Sequence, residues 1–293
     1  MRAHRARRQN RQSVRVLACL VCVVSERAHF RPDLYDGAAE YYDKFRLGYP
    51  EAMLADLASR VALDGSGGLL DVACGTGQVA FALAPRVAYI VGIDQEPGMV
   101  NVAAAKAAAM GLRNSEWHVG RAEEFVAEGF RLVTIGNAFH RLDRPAVATR
   151  ARQWLRPGGF LALLWTSNFL EGSSPWQLTL DGCVRDWVKR LDTADRVPAT
   201  WASDIERLPH STVLTHAGFE IVGGYEFTSS HDWSVAGLIG LLYSTSYFPR
   251  SALGDHVEEF ETDLATRLRT VEPSGVFRET ISGAYDLAAP SAR

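Results

Sequence analysis

From Pro50 to Val61 apolar side chains recur every three or four positions, with Met53, Leu54, Leu57 and Val61 on one face. That period predicts an amphipathic helix, and Pro50 suits its first turn. A glycine-rich turn, Asp64-Gly65-Ser66-Gly67-Gly68, leads into the short apolar run Leu69–Ala73, which reads as a buried strand. Gly75-Thr76-Gly77 opens a helix expected to reach about Leu83. A second buried strand covers Ala88–Ile93 and ends at Asp94, and alanine-rich Pro97–Met110 reads as a helix stopped by Gly111. Glu116–Val119 and Arg131–Ile135 are the third and fourth strands. The helix Pro145–Leu155 turns Val147, Ala151, Trp154 and Leu155 inward, and Pro157-Gly158-Gly159 leads into a fifth strand, Phe160–Trp165. Strands apolar throughout and alternating with helices imply a parallel sheet covered on both faces.

Beyond Trp165 the rhythm changes. Helical pieces carrying Trp176, Trp187 and Trp201 fill 166–215, followed by a strand at Phe219–Phe227 and a helix from about Ser234 to Tyr243. A long amphipathic helix carries Leu253, Val257, Phe260, Leu264, Leu268 and Val271, and a last strand lies near Phe277–Leu287. The expectation is an α/β fold: a doubly wound, mostly parallel seven-stranded sheet with a helical cap over its carboxyl edge. Residues 24–293 form one domain, with cap segments at about 166–215 and 234–272. No internal repeat is present.

Composition narrows the class. The chain is 293 residues long, 47% hydrophobic and 22% charged, with a formal net charge of −3, the balance of a soluble globular protein. Four scattered cysteines make no disulfide framework and point to a reducing, cytoplasmic setting. Cys19 and Cys22 form a C-x-x-C inside an apolar run without a second pair, so no metal site is expected. Residues 1–23 stand apart, with Arg2, Arg5, Arg7, Arg8, Arg11 and Arg15, no acid, and then the apolar run Val16–Val24. This stretch can be read as a secretory signal, as a nucleic-acid or membrane arm, or as read-through of a leader. The third is preferred, because ordinary globular sequence begins at Ser25, where no small-x-small cleavage site stands. Nine apolar residues are also too few to span a bilayer. Without residues 1–23 the balance is 25 basic against 34 acidic residues, or −9, a poor match to a phosphate backbone. Neither nucleic acid nor membrane is expected as a partner, and a homodimer is left open.

Candidate chemistry sits at the strand tips. In Asp71-Val72-Ala73-Cys74-Gly75-Thr76-Gly77-Gln78-Val79-Ala80 the glycines fall where the first strand turns into its helix, letting backbone approach a ligand closely. On spacing alone Gly75, Gly77 and Ala80 also satisfy a dinucleotide fingerprint, which keeps a nicotinamide or flavin oxidoreductase as the rival. Asp94, at the second strand tip, suits the hydroxyls of a ribose in either case. Asp71 separates the readings, since a carboxylate serves a ligand carrying an ammonium and not a pyrophosphate. A polar loop, Gly120–Phe125, follows strand three, and Gly136-Asn137-Ala138-Phe139-His140 ends strand four.

These strings, in this order and spacing over roughly residues 40–165, resemble the class I S-adenosylmethionine-dependent methyltransferases. The resemblance implies S-adenosylmethionine as cofactor and a small-molecule acceptor. It implies that Gly75 and Gly77 border the amino-acid portion of the cofactor, beside Asp71, and that Asp94 binds its ribose. Gln95 and Met99 would flank the adenine, Ala122 and Glu123 its edge, and Asn137 the methionine portion. His140 would lie near the transferred methyl. Tyr41–Pro50 looks like the lid of small-molecule members, which brings Tyr42 and Tyr49 toward the substrate, with Trp165 and Trp176. Arg121 and Arg141 depart from the pattern, at positions commonly acidic and aromatic.

Methyl transfer from a sulfonium asks mainly for alignment at about 3–3.5 Å and exclusion of water. A base of near-neutral pKa helps when the acceptor must lose a proton, and His140 is the candidate. The segment 171–206 carries seven acids (Glu171, Asp181, Asp186, Asp192, Asp195, Asp204, Glu206) against four bases. That surplus favours N-methylation of an amine or amino sugar, in secondary-metabolite (antibiotic) tailoring, over O- or C-methylation. A non-catalytic cofactor-binding protein is the third alternative. Plain structural roles compete throughout: His140 as a satisfied loop residue, Asp71 as a brace for the glycine loop, and the cap tryptophans as core.

Overall fold

A computed structural model of the chain describes residues 35, 37–194, 205, 207–246 and 248–292. The 1–23 leader, the Cys19/Cys22 pair, Trp201 and the acids Asp195, Asp204 and Glu206 lie outside the described residues. Helices α1 (Ala39–Phe45) and α2 (Glu51–Arg60) precede β1 (Gly68–Val72). Then come α3 (Gln78–Leu83), β2 (Tyr89–Asp94), α4 (Pro97–Ala109), β3 (Ser115–Val119), β4 (Phe130–Gly136), α5 (Arg144–Trp154) and β5 (Leu155–Thr166). The remainder comprises α6 (Pro175–Arg190), α7 (His210–His216), β6 (Phe219–Ser234), α8 (Val235–Tyr243), α9 (Val257–Val271) and β7 (Val276–Pro290).

The seven strands lie in the order β3-β2-β1-β4-β5-β7-β6. The first five are parallel, and β7 runs antiparallel between β5 and β6. Burial explains the order. All five residues of β1 are buried, as a central strand covered on both faces requires, whereas β6 alternates exposed and half-buried positions, as an edge strand does. From β1 the chain winds outward through β2 and β3, then returns to β4 on the other side of β1. That reversal opens a crevice at the carboxyl ends of β1 and β4, where ligands bind in open α/β sheets.

Helix starts follow local chemistry. Asp143 caps α5 by accepting the Ala146 N–H at 3.0 Å, and Ser174 with Gln177 forms a capping box on α6. Leu70, Val133, Ile135 and Trp154 form one apolar core on the α5 face of the sheet, while Met53, Leu57, Leu69 and Leu83 form another on the α2–α3 face. A third core belongs to the cap: Trp176, Leu180 and Trp187 of α6 pack on Trp233, Leu238, Phe260, Leu264 and Phe277. The cap is therefore held by its own buried apolar surface as well as by the sheet.

Three boundaries differ from expectation. β6 runs to Ser234 instead of Phe227, because its inward positions continue through His231 to buried Trp233 while its outward positions stay polar. Its pairing with β7 outlasts that of β5, which stops at Thr166↔Gly283, so 228–234 and 276–282 project as a ribbon roughly 20 Å long. The long helix expected from Leu253 is interrupted: Gly254 adopts φ +52° and kinks the 3-10 stretch Arg250–His256, after which α9 begins. β5 starts at Leu155, which already pairs with Phe130 ahead of the glycine turn.

Candidate active site

The loop between β1 and α3 is built from left-handed backbone. Ala73 (φ +51°), Gly75 (φ +55°) and Gly77 (φ +87°) turn the chain sharply, and Asn137 (φ +50°) does the same after β4. Each non-glycine residue there stores on the order of 1–3 kcal/mol, strain that concentrates at functional sites. The two glycines serve different ends. A Cβ on Gly77 would stand 2.4 Å from the Phe81 ring, so that position is fixed by packing; a Cβ on Gly75 would meet nothing nearer than Tyr42, at 3.6 Å. Gly75 thus faces the crevice.

Two carboxylates flank this loop. Asp94, at the tip of β2, accepts the Gly75 N–H at 2.8 Å through Oδ2 and the Glu96 N–H at 3.0 Å through Oδ1. Each oxygen keeps a lone pair for a further donor such as a ribose hydroxyl. Burial raises its pKa, against the pull of those backbone N–H groups. Asp71 is 2% exposed and accepts the Thr134 hydroxyl at 2.7 Å through Oδ1, while Oδ2 makes no hydrogen bond within 3.5 Å among the described residues. Burial drives its pKa up to about 7, moderated by Thr134 and the Ala80 N–H at the start of α3.

Helix α1 and the linker after it close the crevice from above. Tyr42 lies over Gly75, edge-on to Tyr35 with ring centroids 6.4 Å apart. The Tyr49 hydroxyl presses on Gly136 at the tip of β4, 2.3 Å from where a Cβ would be. Burial raises both phenols. The rim is pinned on three sides. Asp43 pairs with Lys106 of α4, Arg141 donates to the Tyr35 hydroxyl at 2.6 Å, and the Phe45 ring covers Gly240 of α8.

Of the residues expected from sequence, the structure gathers Tyr42, Tyr49, Asp71, Gly75, Gly77 and Asp94 around one crevice, with Gln95 half-buried and Met99 buried just beyond Asp94. Others land elsewhere. The Asn137 side chain is committed to β5, accepting the Thr166 N–H and donating to its hydroxyl, both at 3.0 Å. Ala122 is buried in the core, and the Glu123 carboxylate accepts the Asp143 N–H at 3.1 Å. Trp176 is cap core: its indole N–H donates to the Arg278 carbonyl and its ring packs on Phe277. Trp165 is 40% exposed and faces away from Leu164 and Thr166.

His140 requires a correction. It occupies the 3-10 turn Phe139–Arg141 after β4, and burial, with the positive charge of Arg141 and with His210 and Arg144, depresses its pKa to about 3. A near-neutral base is therefore not what this environment makes; the ring is a neutral hydrogen-bonding group.

The crevice fits a polar, zwitterionic ligand. Among the described residues, Asp71 Oδ2, Thr76 Oγ1, Gln78 Nε2 and Arg46 Nε are buried without a protein hydrogen-bond partner, and all four lie in or against the glycine loop and its lid. Leaving such groups unmade costs about 1–3 kcal/mol each, so a site that keeps four of them is shaped for something that completes them. Sequence reasoning had passed over Arg46, Thr76 and Gln78, although all three stand inside the strings that carried the resemblance.

Comparison with known proteins agrees. A family model described as a methyltransferase domain matches residues 69–159. Human methyltransferase-like protein 27 is 32% identical over 217 residues, covering 64% of this chain and 87% of that protein. Nocamycin O-methyltransferase of Saccharothrix syringae is 42% identical over 101 residues, 32% of this chain and 36% of that enzyme. The chain spans between 10% and 36% of the first curated relatives that it matches. A crystal structure from Bacillus halodurans C-125, assigned as a methyltransferase, shares the fold with a TM-score of 0.51 at 23% identity, over 82% of this chain and all (100%) of that one. With the glycine loop, the Asp94 carboxylate at the second strand tip and this strand order on one scaffold, and with a relative 32% identical over 87% of its length, the chain belongs to the class I S-adenosylmethionine-dependent methyltransferases.

Proposed function

We propose that this protein transfers the methyl group of S-adenosylmethionine to a small molecule held between α1 and the cap, as a tailoring step on a secondary metabolite. The observation that carries the reading is the crevice itself, with the left-handed glycine loop, Asp71 and Asp94 on one side and Tyr42 and Tyr49 on the other. When bound, the cofactor supplies an activated methyl on a sulfonium. The chain holds the two ends of the donor and excludes water. Asp94 takes the ribose hydroxyls, and Gly75 lets backbone approach. Asp71 Oδ2 faces the ammonium side, and Tyr42 and Tyr49 roof the crevice. Gln95 and Met99 border the adenine, the backbone of Ala122 and Glu123 its edge, and the backbone of Asn137 the methionine portion. His140 serves as a neutral acceptor for a hydroxyl hydrogen near the methyl.

A hydroxyl is the acceptor atom best supported. Burial holds the His140 ring uncharged, so it can accept the hydrogen bond of an acceptor hydroxyl and take up its proton as that oxygen becomes strongly acidic on methylation. Two of the seven cap acids that favour an amine are engaged on the surface, Asp181 with Arg185 and Asp186 with Arg267. Antibiotic tailoring rests on the similarity to the nocamycin enzyme. N-methylation keeps one observation in its favour. Glu279, buried on the inner face of the ribbon, accepts the Trp233 indole N–H at 2.6 Å and makes no ion pair with Lys or Arg among the described residues. Incubation with methyl-labelled S-adenosylmethionine and matched hydroxyl- and amine-bearing acceptors decides: label on a hydroxyl supports the first reading, label on nitrogen the second. Transfer to neither, by protein that binds the cofactor, overturns both.

A further inference from the structure

Among the described residues three carboxylates are buried: Asp71, Glu96 and Glu279. Asp71 lies in β1 and Glu96 just past β2, both at the crevice. Glu279 stands elsewhere, four residues and roughly 13 Å along β7 from Gly283, which pairs with Thr166 at the tip of β5. Its Oε2 accepts the Trp233 indole N–H at 2.6 Å, and no protein group donates to Oε1 among the described residues. Arg278, its neighbour in the chain, points to the outer face and gives both of its bonds to Asp232, at 2.8 and 2.9 Å. His231 lies directly opposite Glu279 across the ribbon. The His231 ring, however, sits edge-on to Trp233 with centroids 4.4 Å apart, and it makes no hydrogen bond to the carboxylate among the described residues. Buried charges in proteins are otherwise paired, because desolvating a lone carboxylate is costly.

The covering of the ribbon thins at this point. On the inner face Ile281, Glu279 and Phe277 of β7 stand opposite Ser229, His231 and Trp233 of β6. At one end Pro50 and Met53, where α2 begins, press on Gly283. At the other end Trp233 and Phe277 are sealed into the cap core with Trp176 and Leu238. Between those two covers Ser229 and His231 are only half-buried, although they point inward. They form the open side of a groove whose floor carries Glu279. Tyr41 and Leu47 pack on the same cap core, so the groove runs alongside the lid.

Resting on the methyltransferase reading, we propose that Glu279 anchors the acceptor: its second oxygen takes the protonated nitrogen of an amine-bearing small molecule lying along the inner face of the ribbon. An ammonium supplies both things that the carboxylate lacks, a donor for Oε1 and a countercharge. Trp233 holds the carboxylate in place through the other oxygen, and His231 at the rim adds a polar contact for the incoming molecule. The subsite selects which acceptors enter; it does not decide which of their atoms is methylated.

The Trp233 indole N–H reports on this site directly, since it donates to the same carboxylate. The test follows its resonance in nitrogen-15-labelled whole chain saturated with S-adenosylhomocysteine, assigned by its loss in Trp233→Phe. Cyclohexylammonium moves the resonance saturably. Cyclohexanol, of the same shape without the charge, binds at least about tenfold more weakly, the worth of one charge-assisted hydrogen bond. In Glu279→Gln, which keeps an oxygen for the indole, the two probes bind alike. Ser229→Lys leaves Glu279 in place and brings a competing ammonium into the groove, so affinity for cyclohexylammonium falls there by a similar factor. Equal binding of the two probes to wild type, no response to either, a preference for the ammonium that survives in Glu279→Gln, or full affinity in Ser229→Lys overturns the anchor. Failure of wild-type protein to bind S-adenosylhomocysteine at all overturns the methyltransferase reading itself, a separate outcome.

Discussion

Gly75 and Gly77 stand two residues apart in one loop, yet their substitution by alanine has opposite consequences. Gly77 has φ +87°, and a Cβ there would lie 2.4 Å from Cε2 of Phe81 and 2.9 Å from its Cδ2. Phe81 cannot swing aside freely, because its ring packs on Trp117 at 5.2 Å and beneath Lys106 at 5.1 Å. Left-handed strain contributes about 1–2 kcal/mol and overpacking about 1–3 kcal/mol, so Gly77→Ala loses about 2–5 kcal/mol of stability. For a domain of this size that lowers the melting temperature by roughly 5–15 °C. At Gly75 only the strain applies, about 1–2 kcal/mol, because the nearest atom to its Cβ is Tyr42 Cε1 at 3.6 Å. The added methyl instead occupies the crevice, and affinity for S-adenosylhomocysteine falls at least about tenfold, or 1.4 kcal/mol. Scanning calorimetry and titration calorimetry on the two variants separate the effects. A Gly77→Ala protein melting within about 2 °C of wild type, or a Gly75→Ala protein binding the ligand normally, contradicts the assignment of packing to one glycine and ligand approach to the other.

Four further outcomes are expected. Asp71 has its pKa raised to about 7 when the site is empty, and an ammonium beside it favours the ionised form, so binding releases a proton. Affinity for S-adenosylhomocysteine should rise by up to about tenfold per pH unit below 7 and level off above it, a dependence that Asp71→Asn abolishes; a flat profile in the wild type refutes this. Asp94→Ala removes the acceptor of both the Gly75 and Glu96 N–H groups and the ribose contact together, and binding should disappear in titration calorimetry. Because the His140 pKa is about 3, kcat should show no inflection between pH 5 and 8 from this residue, and His140→Ala should lower turnover without changing cofactor affinity; unchanged turnover removes its role. Ala73→Gly relieves a φ of +51° and should stabilise the fold by about 1 kcal/mol in denaturant titration.

The alternating core was legible because parallel strands buried on both faces must be apolar throughout: Leu69–Val72 and Ile90–Ile93 could be read directly. The ribbon was harder. Only Phe219–Phe227 looked like a strand, since Ser229 and His231 are polar residues on its inward side, and polar residues there obscure the period of two. The break at Gly254 was hidden because Leu253, Val257 and Phe260 keep helical spacing through a positive-φ glycine. In the site, residues read from the glycine loop and strand tips came together, because the β1–α3 turn fixes them locally. The resemblance points Asn137 and Glu123 toward the cofactor, and Trp176 is a candidate for the substrate or for cap core. Their side chains are spent on Thr166, Asp143 and the cap core, partners distant in sequence that no local pattern reveals. Arg46, Thr76 and Gln78 are harder to read for the converse reason: their buried atoms without a partner among the described residues show only when the lid and the glycine loop are brought together.

Titration calorimetry of purified, folded protein with S-adenosylhomocysteine, run against a nicotinamide dinucleotide control, tests the central claim most directly. Saturable 1:1 binding of the first ligand, lost in Asp94→Ala and absent with the control, is the expected result. Heat from the dinucleotide with none from S-adenosylhomocysteine contradicts it.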